Sequence, residues 1–451
     1  MTHPFRLGGY NIVLDTASGS IHSVDDVAFD AICEYDLNGK SAAIKTVMEK
    51  YGNIGKDEIL DLFSDIEELV QRGKLFTDDA QRKKNGLLLN RPVKALCMNV
   101  SHVCNMRCSY CFAGDGGYGR DCSLMPLDVG KRAIDFLLEN SGSRKNLDVD
   151  FFGGEPLLNM ETIKGIVKHA REREQSSGKK FRFTLTTNGL LIDDDVIEYT
   201  NLEMHNIVLS LDGRPEIHDA MRKLPDGGGS YAQALPLIKK IVSERNNADY
   251  HIRGTFTRNN LDFVKDILHI ANLGFRELAI EPVVAKKGDA RALTMADLPI
   301  LSEQYEQLAA EMLMRNREGR GFEFYHFKLD LKNSPCLYKR SSGCGVGSEY
   351  LAVTPSGELY PCHRFVGDSS FILGNVWNGV TNFNLANSFN ERVSNTSEKC
   401  EKCWARLFCS GGCAANAYYD TGAVNGIYEL GCEMTKKRTE CAIMLKVAEA
   451  I

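Results

Sequence analysis

Residues 101–114 read SHVCNMRCSYCFAG and directly follow KALCMNV (94–100), an apolar run with the character of a buried strand. Cys104, Cys108 and Cys111 form a C-x3-C-x2-C loop. Three such thiolates hold three irons of a 4Fe–4S cubane, which takes four ligands in all, so one iron stays open. Zinc is the competing reading, because C-x2-C pairs are common at zinc sites and His102 stands nearby as a fourth ligand. The segments around the loop separate the two.

Strand-like stretches recur downstream at LDVDFFGG (147–154), FRFTLTTN (181–188), NIVLSLDG (206–213), YHIRGTFT (250–257) and ELAIEPV (277–283). Between them lie helical patterns such as DVGKRAIDFLLEN (128–140), METIKGIVKHARER (160–173) and YAQALPLIKKIVSE (231–244). Six βα units with helical crossovers predict a parallel α/β sheet, and a partial (β/α)6 barrel is the expected architecture over residues 87–283. Functional residues are then expected at the C-terminal ends of the strands.

Short motifs stand at those ends. Gly153, Gly154, Glu155 and Pro156 close the second strand, Thr187 and Asn188 the third, and Ser210 and Asp212 the fourth. His218, Asp219 and Arg222 follow in HDAMR. Each motif alone is weak, since GG and NG also mark ordinary turns. Their order, together with Cys104, Cys108, Tyr110 and Cys111, resembles the radical S-adenosylmethionine (SAM) family over about residues 92–283. The resemblance implies that SAM fills the open iron with its amine and carboxylate and is cleaved to a 5′-deoxyadenosyl radical, chemistry that a cofactor supplies and a side chain does not. It also implies that Tyr110 packs near the adenine and that Gly153, Gly154 and Glu155 meet the SAM amino group. Asn188 joins the SAM site, and Ser210 and Arg222 reach the carboxylate. An Arg suits that task because its fork bonds both oxygens.

The tail reads GCGVGSEYLAVTPSGELYPCHRF (343–365), EKCEKCWARLFCSGGC (398–413) and ELGCEM (429–434). This spacing, with Gly357 ahead of Cys362, resembles the SPASM extension found on radical SAM enzymes that modify peptides. The resemblance implies two auxiliary 4Fe–4S clusters. Cys400, Cys403, Cys409 and Cys432 would hold one completely; Cys344, Cys362 and Cys413 would hold the other. Cys336, in SPCLYKRSSGC (334–344), is the alternative fourth ligand of the second set. Its spacing from Cys344 is longer than a closed site has, so an open iron is expected. Residues 334–451 look too poor in apolar material for a core of their own, and metal ligation is expected to replace it. Of the 15 cysteines, only Cys33, Cys97, Cys122, Cys336 and Cys441 look scattered.

Residues 1–86 carry strand-like PFRL, YNIVLD and SIHSV, then three helical patterns, a winged-helix-like order. Asp57, Glu58, Asp61, Asp65, Glu67 and Glu68 make the third helix acidic, and the whole chain has a net charge of −6. Both argue against nucleic acid as a partner. No apolar run approaches the ~20 residues of a membrane span, and MTHPFRLGGYNIVLD lacks a signal-peptide pattern. A cytoplasmic protein is expected. Residues 284–333 are expected to form a helical bridge.

An acidic module of this shape ahead of a SPASM enzyme resembles a RiPP recognition element, which binds the leader of a ribosomally made precursor peptide as an added strand. The groove is expected along Tyr10–Val13 and the third helix. The order of parts most resembles the SCIFF-peptide maturases, thioether-forming enzymes related to sactipeptide and ranthipeptide synthases. The implied partners are a Cys-rich precursor peptide and an external electron donor; the implied cofactors are three 4Fe–4S clusters and SAM. Two alternatives are an anaerobic sulfatase-maturing type of enzyme and a multi-cluster electron carrier.

Overall fold

The computed structural model describes residues 2–78, 91–119, 122–329, 343–394 and 397–450. Its first strands, β1 (Thr2–Leu7), β2 (Tyr10–Asp15) and β3 (Ile21–Val24), form an antiparallel sheet in that order. Leu7 pairs with Tyr10 across Gly8 and Gly9, whose φ values of +60° and +84° suit a two-residue hairpin turn. Helices α1 (Asp26–Asn38), α2 (Lys40–Lys50) and α3 (Lys56–Gln71) follow. They close on Phe29, Ile32, Val47, Ile59, Phe63 and Ile66. The Asp25 carboxylate caps α1 by accepting from the Ala28 N–H at 2.8 Å. The strand order corrects the expected groove. β2 is central and both its edges are taken, so Tyr10–Val13 cannot accept another strand. The outer edges belong to β1 and β3.

The second sheet begins with β4 (Ala95–Ser101), in which every residue is buried, as in a parallel strand covered on both faces. β5 (Arg107–Cys108) lies in the cysteine loop. Then α4 (Leu127–Asn140), β6 (Asn146–Gly153), α5 (Met160–Ser177), β7 (Lys180–Thr187), α6 (Asp194–Glu203) and β8 (Asn206–Ser210) alternate. They are followed by α7 (Pro215–Met221), β9 (Arg222–Lys223), α8 (Tyr231–Glu244), β10 (Tyr250–Phe256), α9 (Phe263–Asn272) and β11 (Glu277–Pro282). All six expected strands are present and pair in parallel. In β6, Leu147, Val149 and Phe151 are buried beneath the helices, while Asp148, Asp150 and Phe152 alternate with them toward the other face.

The segment after β11 is more than a helical bridge. Helix α10 (Leu298–Arg317) leads to β12 (Glu323–Phe324), which adds to β11 in parallel. The tail extends the opposite edge. β13 (Tyr350–Val353) pairs in parallel with β4, Ala352 opposite Cys97. β14 (Glu358–Tyr360), β15 (Gly374–Asn375) and β16 (Gly379–Val380) continue the same sheet antiparallel. The resulting 11-stranded sheet runs β12-β11-β10-β8-β7-β6-β4-β13-β14-β15-β16. At the joint, the fully buried Glu349 carboxylate meets Arg144 at 2.5 Å and Lys94 at 3.4 Å.

The tail also has an apolar core, contrary to expectation. Tyr360, Phe365, Phe371 and Phe389 are buried there with Cys97, Ala113 and Tyr118 of the preceding segment. The sheet supplies one wall of this core through Ala352 and Tyr360. The C-terminal helix, Glu429–Ala450, packs on α10, where Lys437 pairs with Glu306 at 2.7 Å.

Candidate iron–sulfur and SAM site

Parallel strands aim their C-terminal ends at one side, and backbone contacts bind those ends together there. Gly153 has φ +139°, a conformation favouring glycine, and a methyl at Gly153 or Gly154 would strike the Ser101 or Val103 carbonyl. The approach lets Gly154 N–H donate to Ser101 O at 2.7 Å and Glu155 N–H donate to Val103 O at 2.9 Å. The GGEP stretch is thereby fastened to the cysteine loop.

Glu155 is buried, and its carboxylate accepts from Leu157 N–H (3.1 Å), Thr187 Oγ1–H (2.8 Å) and Asn188 N–H (2.9 Å). Burial lifts its pKa to about 7, although these three donors hold it down. A carboxylate has about four lone-pair sites, so one remains for a ligand donor. Asn188 in turn donates through Nδ2 to Asn105 Oδ1 at 2.7 Å and toward Cys104 Sγ at 4.0 Å.

A second anchor holds Cys108. Short β5 pairs with β9, placing Cys108 opposite Arg222. Arg222 Nε lies 3.0 Å from the buried Asp212 carboxylate, an ion pair whose N–H does not lie along the contact. The Tyr110 hydroxyl donates to the same carboxylate at 2.7 Å, and the Arg222 guanidinium stands over the Tyr110 ring at 5.6 Å. Asp212 thus orients both expected SAM contacts. His218 serves the scaffold: its Nδ1 is 3.3 Å from Asp212 N and its Nε2 3.0 Å from Ser230 Oγ.

These side chains meet in one cavity of about 170 Å³. Cys104, Cys108 and Cys111 line it, as do all seven expected SAM contacts: Tyr110, Gly153, Gly154, Glu155, Asn188, Ser210 and Arg222. Four further titratable residues on its wall escaped the sequence reading: Arg253, Glu281, His363 and Arg364. Arg253 and Glu281 alternate with apolar residues in β10 and β11, so a charged residue at an inward strand position was the available signal. Burial alone would raise the Glu281 pKa, but Arg253 and Arg364 draw it down to about 2.

The tail cysteines fall into two groups. Cys362 lies within electrostatic reach of Cys413 and Cys344, and Cys432 within reach of Cys409, Cys400 and Cys403. All fourteen described cysteines are free thiols; Cys336 lies outside the described residues. Burial pushes Cys104 to about 11 and Cys108, Cys362 and Cys432 to about 12. Such thiols stay protonated at neutral pH until a metal takes the sulfur. Among the described residues, no three His, Cys, Asp or Glu side chains close round a single ion. A cubane spreads its thiolates over several irons and accepts wider sets. The all-sulfur donor sets therefore fit iron–sulfur clusters.

Comparison with known proteins agrees with this geometry. The model of the radical SAM superfamily matches residues 98–253, and that of the SPASM iron–sulfur cluster-binding domain matches residues 344–404. The chain carries both domains. It is 21% identical over 433 residues to the radical SAM cyclopropyl synthase TigE of Paramaledivibacter caminithermalis, covering 88% of this chain and 85% of that protein. It is 26% identical over 344 residues to a cysteine-type anaerobic sulfatase-maturating enzyme of Clostridium perfringens, covering 71% and 89%. The solved structure described as native anSMEcpe with bound AdoMet shares the fold, with a TM-score of 0.66 at 23% identity over 80% of this chain and all of that one.

Proposed function

We propose that this chain forms intramolecular Cys thioethers in a ribosomally made precursor peptide. The observation that carries the proposal is the single cavity bordered by Cys104, Cys108 and Cys111 on one side and by His363 and Arg364, next to Cys362, on the other. Cys104, Cys108 and Cys111 would hold a cluster that, with SAM bound, would supply a 5′-deoxyadenosyl radical. The protein's own task is to hold a peptide carbon and a cysteine sulfur between the two sets. In net chemistry, one C–H and one S–H bond break and one C–S bond forms. A hydrogen atom leaves in 5′-deoxyadenosine, a proton passes to solvent, and one electron goes to an acceptor of the iron–sulfur class. An open iron on Cys344, Cys362 and Cys413 would bind the substrate thiolate and fix it for attack, a proximity gain.

Around this centre, Glu155, Asn188, Ser210 and Arg222 bind SAM, and Tyr110 flanks its adenine. Residues 1–86 act as a RiPP recognition element and bind the leader as a strand added to β3, beside acidic α3. The N-terminal sheet supports β3 rather than β2, since the outer edge of β3 has no strand partner among the described residues.

One observation favours a second reading, an aldehyde-forming maturase. Asp150 on β6 points away from the helices, and burial raises its pKa to about 6, poised for a general base. Product analysis separates the two. The protein, with SAM, a reductant and a Cys-rich precursor peptide, should yield peptide that retains all its sulfur and has lost one free thiol per ring by tandem mass spectrometry. Loss of sulfur with appearance of a carbonyl would favour the second reading.

A further inference from the structure

Arg364 stands two residues after Cys362, and its guanidinium reaches in two directions at the cavity wall. Nη1 donates toward Cys413 Sγ at 3.9 Å, and Nη2 lies 3.6 Å from Glu281 Oε2. The other Glu281 oxygen lies 3.0 Å from Arg253 Nη2. The Arg364 carbonyl accepts from the Tyr419 hydroxyl at 2.8 Å, which fixes the backbone beneath the side chain. A continuous chain, Arg253–Glu281–Arg364–Cys413, thus runs from β10 and β11 to a tail cysteine. Two guanidiniums share one carboxylate, so the group carries surplus positive charge, and Arg364 sits at its sulfur end.

A plain ion pair joining tail to sheet would explain the Glu281 contact alone. It would leave unexplained why the second arm of the fork is turned to sulfur. A hydrogen bond and a positive charge at a ligand sulfur both favour the more negative, reduced state of an iron–sulfur cluster, and both are recognised determinants of its potential. The partly buried setting strengthens that effect relative to water.

We infer that Arg364 is a positioning residue for the second cysteine set: tethered by Glu281, it donates to Cys413 Sγ and raises the reduction potential of the cluster held by Cys344, Cys362 and Cys413. The inference rests on the proposed ligand set and deepens it. A raised potential equips that cluster to accept the electron released when sulfur bonds to carbon. Glu281 sets the reach of Arg364, and Arg253 keeps Glu281 ionised.

The test is a redox titration followed by electron paramagnetic resonance, on full-length protein reconstituted with iron and sulfide. Changing Cys104, Cys108 and Cys111 to Ala beforehand removes the first cluster's signal. Arg364→Gln should lower the potential of the three-cysteine cluster by about tenfold in its reduced-to-oxidised ratio, about 59 mV for one electron. The four-cysteine cluster on Cys400, Cys403, Cys409 and Cys432 should not move. Arg364→Lys keeps the charge and should recover part of the shift. A parental potential in Arg364→Gln with full iron content overturns the inference. If that variant loses iron, Glu281→Gln decides: the amide oxygen still accepts from Arg364 while the negative charge is gone, so the potential should rise, whereas an unchanged or lower value overturns the inference. If no auxiliary signal disappears with Cys413→Ala, the ligand set itself is wrong, and the inference falls with it for a distinguishable reason.

Discussion

The imidazole of His3 lies flat on the indole of Trp404, with ring centroids 3.7 Å apart and planes 8° apart. The same imidazole has Nε2 3.0 Å from Glu440 Oε1 on the C-terminal helix. Trp404 directly follows Cys403, so the first strand of the protein is docked beside the four-cysteine set. Thr16, Ala17, Phe76 and Thr77 line a cavity together with Cys403 and Arg406 at the same junction.

Trp404→Ala should therefore destabilise the docking by about 1–3 kcal/mol, since a stacked pair contributes about 0.5–1.5 kcal/mol beyond its buried area. Hydrogen exchange should speed up in β1 and leave β7 and β8 unchanged. Unaltered protection in β1 would show the stacking to be energetically idle.

Deleting residues 1–86 should abolish calorimetric binding of a leader peptide and modification of the full precursor. Formation of 5′-deoxyadenosine without peptide should persist, because among the described residues none lining the cysteine and SAM cavity belongs to that segment. Equal leader affinity in truncated and intact protein would refute the leader-binding assignment.

Three 4Fe–4S clusters require about twelve irons per chain. Changing Cys104, Cys108 and Cys111 together to Ala should remove about a third of the iron and all SAM cleavage, while the auxiliary absorbance survives. Persistent 5′-deoxyadenosine would move the initiating site elsewhere.

Glu155 should give SAM binding a pH dependence. An ammonium ligand needs the ionised carboxylate, and burial has raised the pKa of this group from 4.5 to about 7. Affinity should thus strengthen as pH rises from about 6 to 8. Stability without ligand runs the other way: a raised folded pKa contributes fully below the unfolded value and is lost as pH climbs through about 7. Glu155→Gln should flatten the affinity profile, measured by equilibrium dialysis; an unaltered slope would assign it to another group.

Glu349→Ala should cost about 2–4 kcal/mol of stability. Removing one member of a buried ion pair typically costs about 3–5 kcal/mol, discounted here because Lys94 and Arg144 are 30% and 27% exposed. Urea unfolding measures the change. A loss under about 1 kcal/mol would mean that water solvates both cations once the carboxylate is gone.

The parts legible in the sequence were those encoded by short-range spacing. The cysteine loop, the glycines at strand ends and the alternation in FRFTLTT each fit within a dozen residues, and the fold keeps them as read. Pairings between distant segments were not legible. Nothing local to YLAV at 350–353 indicates that it pairs with β4, because the partners lie some 255 residues apart, Ala352 opposite Cys97. The apolar core of the tail is illegible for the same reason, since Cys97, Ala113 and Tyr118 reach it from the other side of that joint. Three consecutive strands also do not state which is central, so the sequence alone does not separate β2 from the outer edge of β3. Arg253, Glu281 and Arg364 stand singly in three segments, and only their convergence in space makes them a group.

The shared ladder between β4 and β13 also bears on how such enzymes can diversify. A tail transplanted from a relative would have to reproduce that pairing, because a slip of one residue turns Leu351 and Val353 to the opposite face. Exposed loops are under no such constraint and can be exchanged or lengthened. Substrate range can then drift through those parts, while the span from the Cys104–Cys111 wall to the His363–Arg364 wall is inherited as a fixed gauge.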